Sequence, residues 1–125
     1  MNKLNCIDSL RLGFPYFIYL FCLAGCSNVD REYYHDGTLM LECEKQSLFS
    51  STTVCKNYER DGSIKLIEHY KNGVLNGELI LYYPSGKLKY KVVYKDGGLW
   101  NVIEYYDKEG TPLAFGTINN GTGRG

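Results

Sequence analysis

The chain has 125 residues, room for one domain, and its 14 basic residues balance its 14 acidic ones. That zero net charge excludes the electrostatic footprint of a nucleic-acid-binding protein. Glycine (14) and tyrosine (12) are both abundant, and tyrosine with Val, Ile and Leu between glycine-centred turns points to β-structure.

The first element is a targeting segment. Lys3 and Arg11 against Asp8 make a weakly positive start, and Leu12–Leu23 is an uncharged apolar run of 12 residues. A membrane-spanning helix needs roughly 20 apolar residues, so this run fits a signal-peptide core. Leu23-Ala24-Gly25-Cys26 follows, and it resembles the lipobox of bacterial lipoproteins. The resemblance implies cleavage between Gly25 and Cys26, diacylglycerol on the Cys26 thiol and acylation of the new amino group. The alternatives are a plain secretory signal with an incidental Cys, or an uncleaved anchor. Several acyl chains would hold the mature chain stably in a membrane, where one binds only marginally. Ser27 follows the Cys. Without Asp at that place, the pattern resembles outer-membrane sorting, on the periplasmic side, in a Gram-negative source. In a Gram-positive source the anchor is in the cytoplasmic membrane.

Residues 26–36 are polar and acidic and are expected to be a tether from membrane to domain. Asp30, Glu32, His35 and Asp36 cluster there, which reads as a solvated linker rather than a metal site. Thr38–Glu42 is a candidate strand. With Cys6 and Cys22 in the signal and Cys26 acylated, Cys43 and Cys55 are the two cysteines left to pair. Outside the cytoplasm two such cysteines are more often bridged than free. A hairpin of 38–45 and 52–58, turning near Phe49, would set them opposite each other. Two buried thiols are the alternative.

From here the chain repeats. Glycines fall at 62, 73, 86, 97, 110 and 121, so that gaps of 11 and 13 alternate and sum to 24. Tyr58, Tyr82 and Tyr106 share that offset, as do Tyr70 and Tyr94. A fixed period in this range marks a repeat architecture. Five of the six glycines follow Asp, Asn or Ser, the chemistry of hairpin turns, and Gly110 follows Glu109. Strand-length runs lie between them at 63–70, 75–83, 88–94 and 99–106, with a weaker one at 113–118. Lys87-Leu88-Lys89-Tyr90-Lys91-Val92 alternates water-facing and packed positions. Leu75, Gly77, Leu79, Leu81 and Tyr83 share one face, and Asn76, Glu78, Ile80 and Tyr82 share a mixed one. The expected fold is all-β, an elongated antiparallel meander that adds one hairpin per 24 residues.

Tyr70-Lys71-Asn72-Gly73-Val74-Leu75-Asn76-Gly77 and Tyr83-Pro84-Ser85-Gly86-Lys87-Leu88 resemble MORN repeats, in the variant found in YwqK-like antitoxins. The resemblance covers about 57–122. It implies a single-layer sheet that serves as a scaffold, a membrane-associated adaptor or a toxin neutraliser. Two positions depart from it: Asn101 stands where Gly77 has its counterpart, and Pro112 stands where Leu88 has its own. The domain order is therefore signal peptide 1–25, tether 26–36, MORN-variant β-repeat domain 37–122 and disordered tail 123–125.

No constellation of residues carries chemistry. His35 and His69 lack partners at ligand or triad spacing, no G-x-S-x-G surrounds a serine, and no glycine-rich segment opens a helix. No enzyme activity, cofactor or metal is expected. Tyr82, Trp100 and Tyr106 fall on the mixed face and are the candidate partner contacts. Three functions fit these features. The first is a membrane-anchored lipoprotein whose sheet binds a protein partner in the cell envelope. The second is an antitoxin or immunity-type protein, and the third a glycan-binding envelope lipoprotein.

Overall fold

The computed structural model describes residues 28–47, 49–116, 118 and 120–121. Seven strands run in chain order: β1 (Val29–Tyr33), β2 (Leu39–Lys45), β3 (Thr52–Tyr58), β4 (Ile64–Lys71), β5 (Val74–Tyr82), β6 (Leu88–Lys95) and β7 (Gly98–Tyr105). They form one sheet in that same order, and every neighbouring pair is antiparallel. The all-β meander expected from the glycine period is the observed fold. The signal peptide, with Gly25 and Cys26, lies outside the described residues.

Two kinds of turn alternate along the sheet. On one edge, Tyr34–Thr38, Glu59–Ser63, Tyr83–Lys87 and Asp107–Thr111 close in the same way. The N–H of the fourth residue donates to the carbonyl of the first (Gly37 to Tyr34, 2.9 Å; Gly86 to Tyr83, 2.8 Å), and the first residue's N–H donates to the carbonyl of the fifth (Tyr34 to Thr38, 2.8 Å; Tyr83 to Lys87, 2.8 Å). Pro84 occupies the second place, where its fixed φ suits a type I turn. On the other edge the connections are the two-residue hairpins Asn72-Gly73 (φ 51° and 76°) and Asp96-Gly97 (φ 49° and 82°). Two successive left-handed residues match the right-handed twist of the strands, and Asn-Gly and Asp-Gly supply them at least cost.

The four-residue turns bond to one another. Tyr34 Oη donates to the Tyr58 carbonyl (2.8 Å) and Tyr83 Oη to the Tyr106 carbonyl (3.0 Å). Arg60 reaches Asp36 (2.8 Å) and lies 4.7 Å over the Tyr34 ring. Glu59 stands at the tyrosine place in the second turn, and its carboxylate pairs with Lys65 at 3.5 Å.

Two segments differ from expectation. The tether expected over 26–36 contains β1, which pairs with β2 from Val29↔Glu44 to Tyr33↔Leu39. Backbone pairing asks for no apolar residue on an edge strand. The charges of Asp30, Arg31 and Glu32 guard that edge against further pairing, and Arg31 Nε meets Glu42 Oε2 at 2.7 Å. At the other end, no strand forms among the described residues of 113–118. The chain makes the fourth turn and one bridge, Tyr106↔Pro112, where proline has no N–H to extend the ladder.

β4 and β5 are joined by an irregular register. Their register shifts between Glu68 and Tyr70, and His69 sits in the gap with Nδ1 2.7 Å from the Glu78 carbonyl oxygen. That oxygen only accepts, so Nδ1 carries the hydrogen. Gly77 lies beneath with φ +120°, and a Cβ added there would stand 3.0 Å from His69 Cβ. Its counterpart Asn101 is not among the residues with positive φ, although β6–β7 also shifts register, between Lys91 and Val92 and between Val93 and Tyr94.

Two predictions follow from these features. Gly77→Ala adds a rigid contact to backbone strain and should cost about 1–3 kcal/mol. Gly86→Ala, whose Cβ meets nothing within 4 Å, should cost less; equal losses of melting temperature would refute the contact. In the turns, Thr38 holds the Asp36 carboxyl below its ordinary range through its hydroxyl and N–H, Ser63 does the same for Asp61, and the Thr111 N–H for Asp107. A depressed carboxylate stabilises the fold fully above its unfolded pKa of about 4, and this is lost as pH falls through the folded value. Melting temperature should therefore fall below about pH 4, and less steeply in Asp61→Asn than in wild type.

Candidate functional site

Paired residues of an antiparallel sheet point to the same side, so the register sorts the side chains into rows. One face carries Cys43–Cys55–Glu68–Leu79–Val92–Val102 from β2 to β7, and beside it Leu41–Asn57–Leu66–Leu81–Tyr90–Tyr105. The opposite face carries Glu42–Lys56–Ile67–Ile80–Lys91–Glu104, with ion pairs Arg31–Glu42 and Lys91–Glu78 (2.9 Å). The first face is apolar and the second amphipathic.

Among the described residues nothing packs over the apolar face as a second layer. The buried apolar residues are Cys55, Leu79 and Val92, each still 8% exposed, and all three lie in its central row. Leu41, Leu66, Leu81, Tyr90 and Tyr105 beside them are half-buried. Tyr90 and Tyr105 form a tilted ring pair with centroids 6.4 Å apart.

Glu68 is the exception in the central row. Cys55 and Leu79 flank it across the strands, and Leu66 and Tyr70 along its own strand. Asn57 Nδ2 donates to its Oε2 at 3.3 Å. Burial pushes the Tyr70 hydroxyl pKa up, and the Glu68 carboxylate adds to the effect. Tyr90 is likewise raised, by burial first and then by Tyr94 and Glu68. The ion pairs of the described residues lie on the other face or along the turn edge, and none includes Glu68.

The residues singled out by sequence stand apart from this row. Tyr82, Trp100 and Tyr106 are half-buried, not exposed. Lys95 Nζ caps the Trp100 ring at 4.3 Å, and Gly121 lies against its other atoms. Tyr106 Oη reaches Glu104 at 3.5 Å. The three do not pair with each other; the ring pair of the described residues is Tyr90–Tyr105. Sequence reasoning missed Glu68 and Asn57 because their meaning comes from strand partners. The available signal was the Leu66, Glu68, Tyr70 alternation, which puts a carboxylate in an apolar phase.

Cys43 and Cys55 are directly opposite in β2–β3, with Cα atoms 4.1 Å apart, and form a disulfide. It spans the Gln46–Ser51 connection, which replaces the two-residue hairpin found at the other junctions on that edge. Removing the bridge, by reduction or by Cys43→Ala with Cys55→Ala, should cost about 3 kcal/mol in the chain-entropy account. Amide exchange should rise most in β1 and β2. Unchanged protection there would show that the bridge does not hold this end.

Residues 52–72 and 75–96 each match the family model described as the MORN repeat variant. The two matches cover about a third of the chain, and each corresponds to one hairpin closed by a four-residue turn, β3–β4 and β5–β6. The resemblance expected over 57–122 thus begins earlier, inside the cysteine hairpin, and the match ends at 96. MORN repeats are generally protein- or membrane-binding modules. No curated protein and no solved structure matches the chain.

Proposed function

We propose that this chain, whose sheet carries two MORN-variant repeats, is a protein-docking module held at a membrane surface of the cell envelope by acyl chains on Cys26. The observation that carries the docking role is the uncovered apolar face. A sheet normally packs its apolar face against another layer, and neighbouring apolar side chains left partly open to water suit an interaction site. Here the central row stays at the margin of burial, and leucines and tyrosines surround it. The support for the anchor is the Leu23-Ala24-Gly25-Cys26 sequence after an apolar run.

The two parts separate experimentally. Wild-type protein should be recovered from membranes only with detergent, as a species that begins at Cys26 and carries the added mass of acyl groups. Cys26→Ala should lose that mass and keep the binding capacity of the sheet. A mature species with an unmodified Cys26 thiol would refute the anchor. For the docking role, charge placed on the apolar face by Leu81→Glu should abolish partner binding, whereas Lys56→Glu on the opposite face should not. The reverse pattern would assign docking to the other face.

A further inference from the structure

Each hairpin places a fixed position at the centre of the apolar face. Six residues after the turn glycines 37, 62 and 86 stand Cys43, Glu68 and Val92. Five residues before the glycines 37, 62, 86 and 110 stand Glu32, Asn57, Leu81 and Tyr105. At the central position the second hairpin alone carries a charge, Glu68 against Cys43 and Val92, and its neighbour in the adjoining row, Asn57, bonds to it. The change puts a carboxylate between Cys55 and Leu79, two of the most buried side chains of the described sheet.

A carboxylate set among apolar side chains is best matched by an opposite charge. Among the described residues none supplies it. Asn57 orients the carboxylate and the Tyr70 hydroxyl stands beside it, but both are neutral and leave its charge unpaired. The rest of the face adds Asp30 and Glu32 at β1 against Lys45, so its balance is acidic. The tyrosine rings 70 and 90, raised in pKa partly by the same carboxylate, offer negative π-faces beside it, which favour a cation.

We infer that Glu68, oriented by Asn57, is the specificity-determining contact of the apolar face, and that it receives a Lys or Arg side chain of a partner protein segment whose flanking residues are apolar. The inference rests on the docking role proposed above and names the chemistry of the partner. A second copy of this chain does not meet it well. Two apolar faces laid together would bring acidic side chains to acidic side chains, with Lys45 at the margin as the cation on each.

The test uses the full-length protein in detergent micelles and a displayed library of random dodecapeptides. Binders should be enriched in a basic residue between apolar ones. Glu68→Gln should weaken the selected peptides at least tenfold, with amide spectra showing an intact sheet. Glu68→Leu should abolish their binding and raise the melting temperature, which separates lost recognition from lost folding. Peptides that bind the apolar face with no basic residue, or with equal affinity to Glu68→Gln, would overturn the inference and leave the docking role standing. Peptides that bind only the opposite face would overturn both. A concentration-dependent dimer abolished by Leu81→Glu would make a second copy the occupant and overturn the inference.

Discussion

The register of this sheet depends on a pair of backbone constraints that recur along the chain. A four-residue turn closes each hairpin on one edge, and a two-residue left-handed turn joins successive hairpins on the other. Because side chains alternate with a period of two, a slip of one residue at any turn would send a whole strand's side chains to the opposite face. The alternating gaps between glycines follow directly. After a four-residue turn the glycine is one residue from the next strand, whereas before such a turn three residues intervene between the strand and its glycine. Rows such as Cys43–Cys55–Glu68–Leu79–Val92–Val102 exist only because both turns keep their count.

Thinness is the second consequence. With strands about 4.8 Å apart, seven of them make a broad surface, yet a single layer removes little of it from water. Cross-strand pairs and turn-to-turn bonds take over part of what a second layer supplies elsewhere. The Tyr34 and Tyr83 hydroxyls tie neighbouring hairpins through backbone carbonyls. At the junction of the first two hairpins the two-residue turn is lost, and the Cys43–Cys55 bridge fixes the register there by a covalent bond. One device thus replaces another at the place where the repeat loosens.

Much of this was legible in the residues themselves. The six glycines of the 24-residue period, 62, 73, 86, 97, 110 and 121, all adopt positive φ, and the cysteine hairpin turns where its spacing required. What stayed hidden had a physical cause in each case. β1 has no apolar alternation because an edge strand is held by backbone bonds and guarded by charge. The end of the sheet was overread because Pro112 keeps the turn while removing the donor that a further strand needs. For Tyr82, Trp100 and Tyr106, alternation assigns a face but cannot say what lies on it. Lys95 over Trp100 and Glu104 beside Tyr106 come from neighbouring positions of the folded sheet. Glu68 was passed over for the same reason: beside His69 in sequence it is unremarked, and between Cys55 and Leu79 in space it is the one charge in an apolar row.

A repeat protein gains a specific site by breaking its own pattern. Identical hairpins present identical rows, and a uniform apolar face attracts any apolar surface without choosing among them. Discrimination needs a group that penalises the wrong partner, and a half-buried carboxylate does so: an apolar segment laid over Glu68 would bury the charge unpaired, whereas a basic side chain would satisfy it. The same logic explains why the polar substitution comes as a pair. Asn57 without Glu68 would leave an amide donor against leucines. Glu68 without Asn57 would be free to swing out of the face into water, and its charge would no longer exclude apolar partners. Together they hold one acceptor at a fixed place in the middle of the sheet, on rigid strands rather than on a loop.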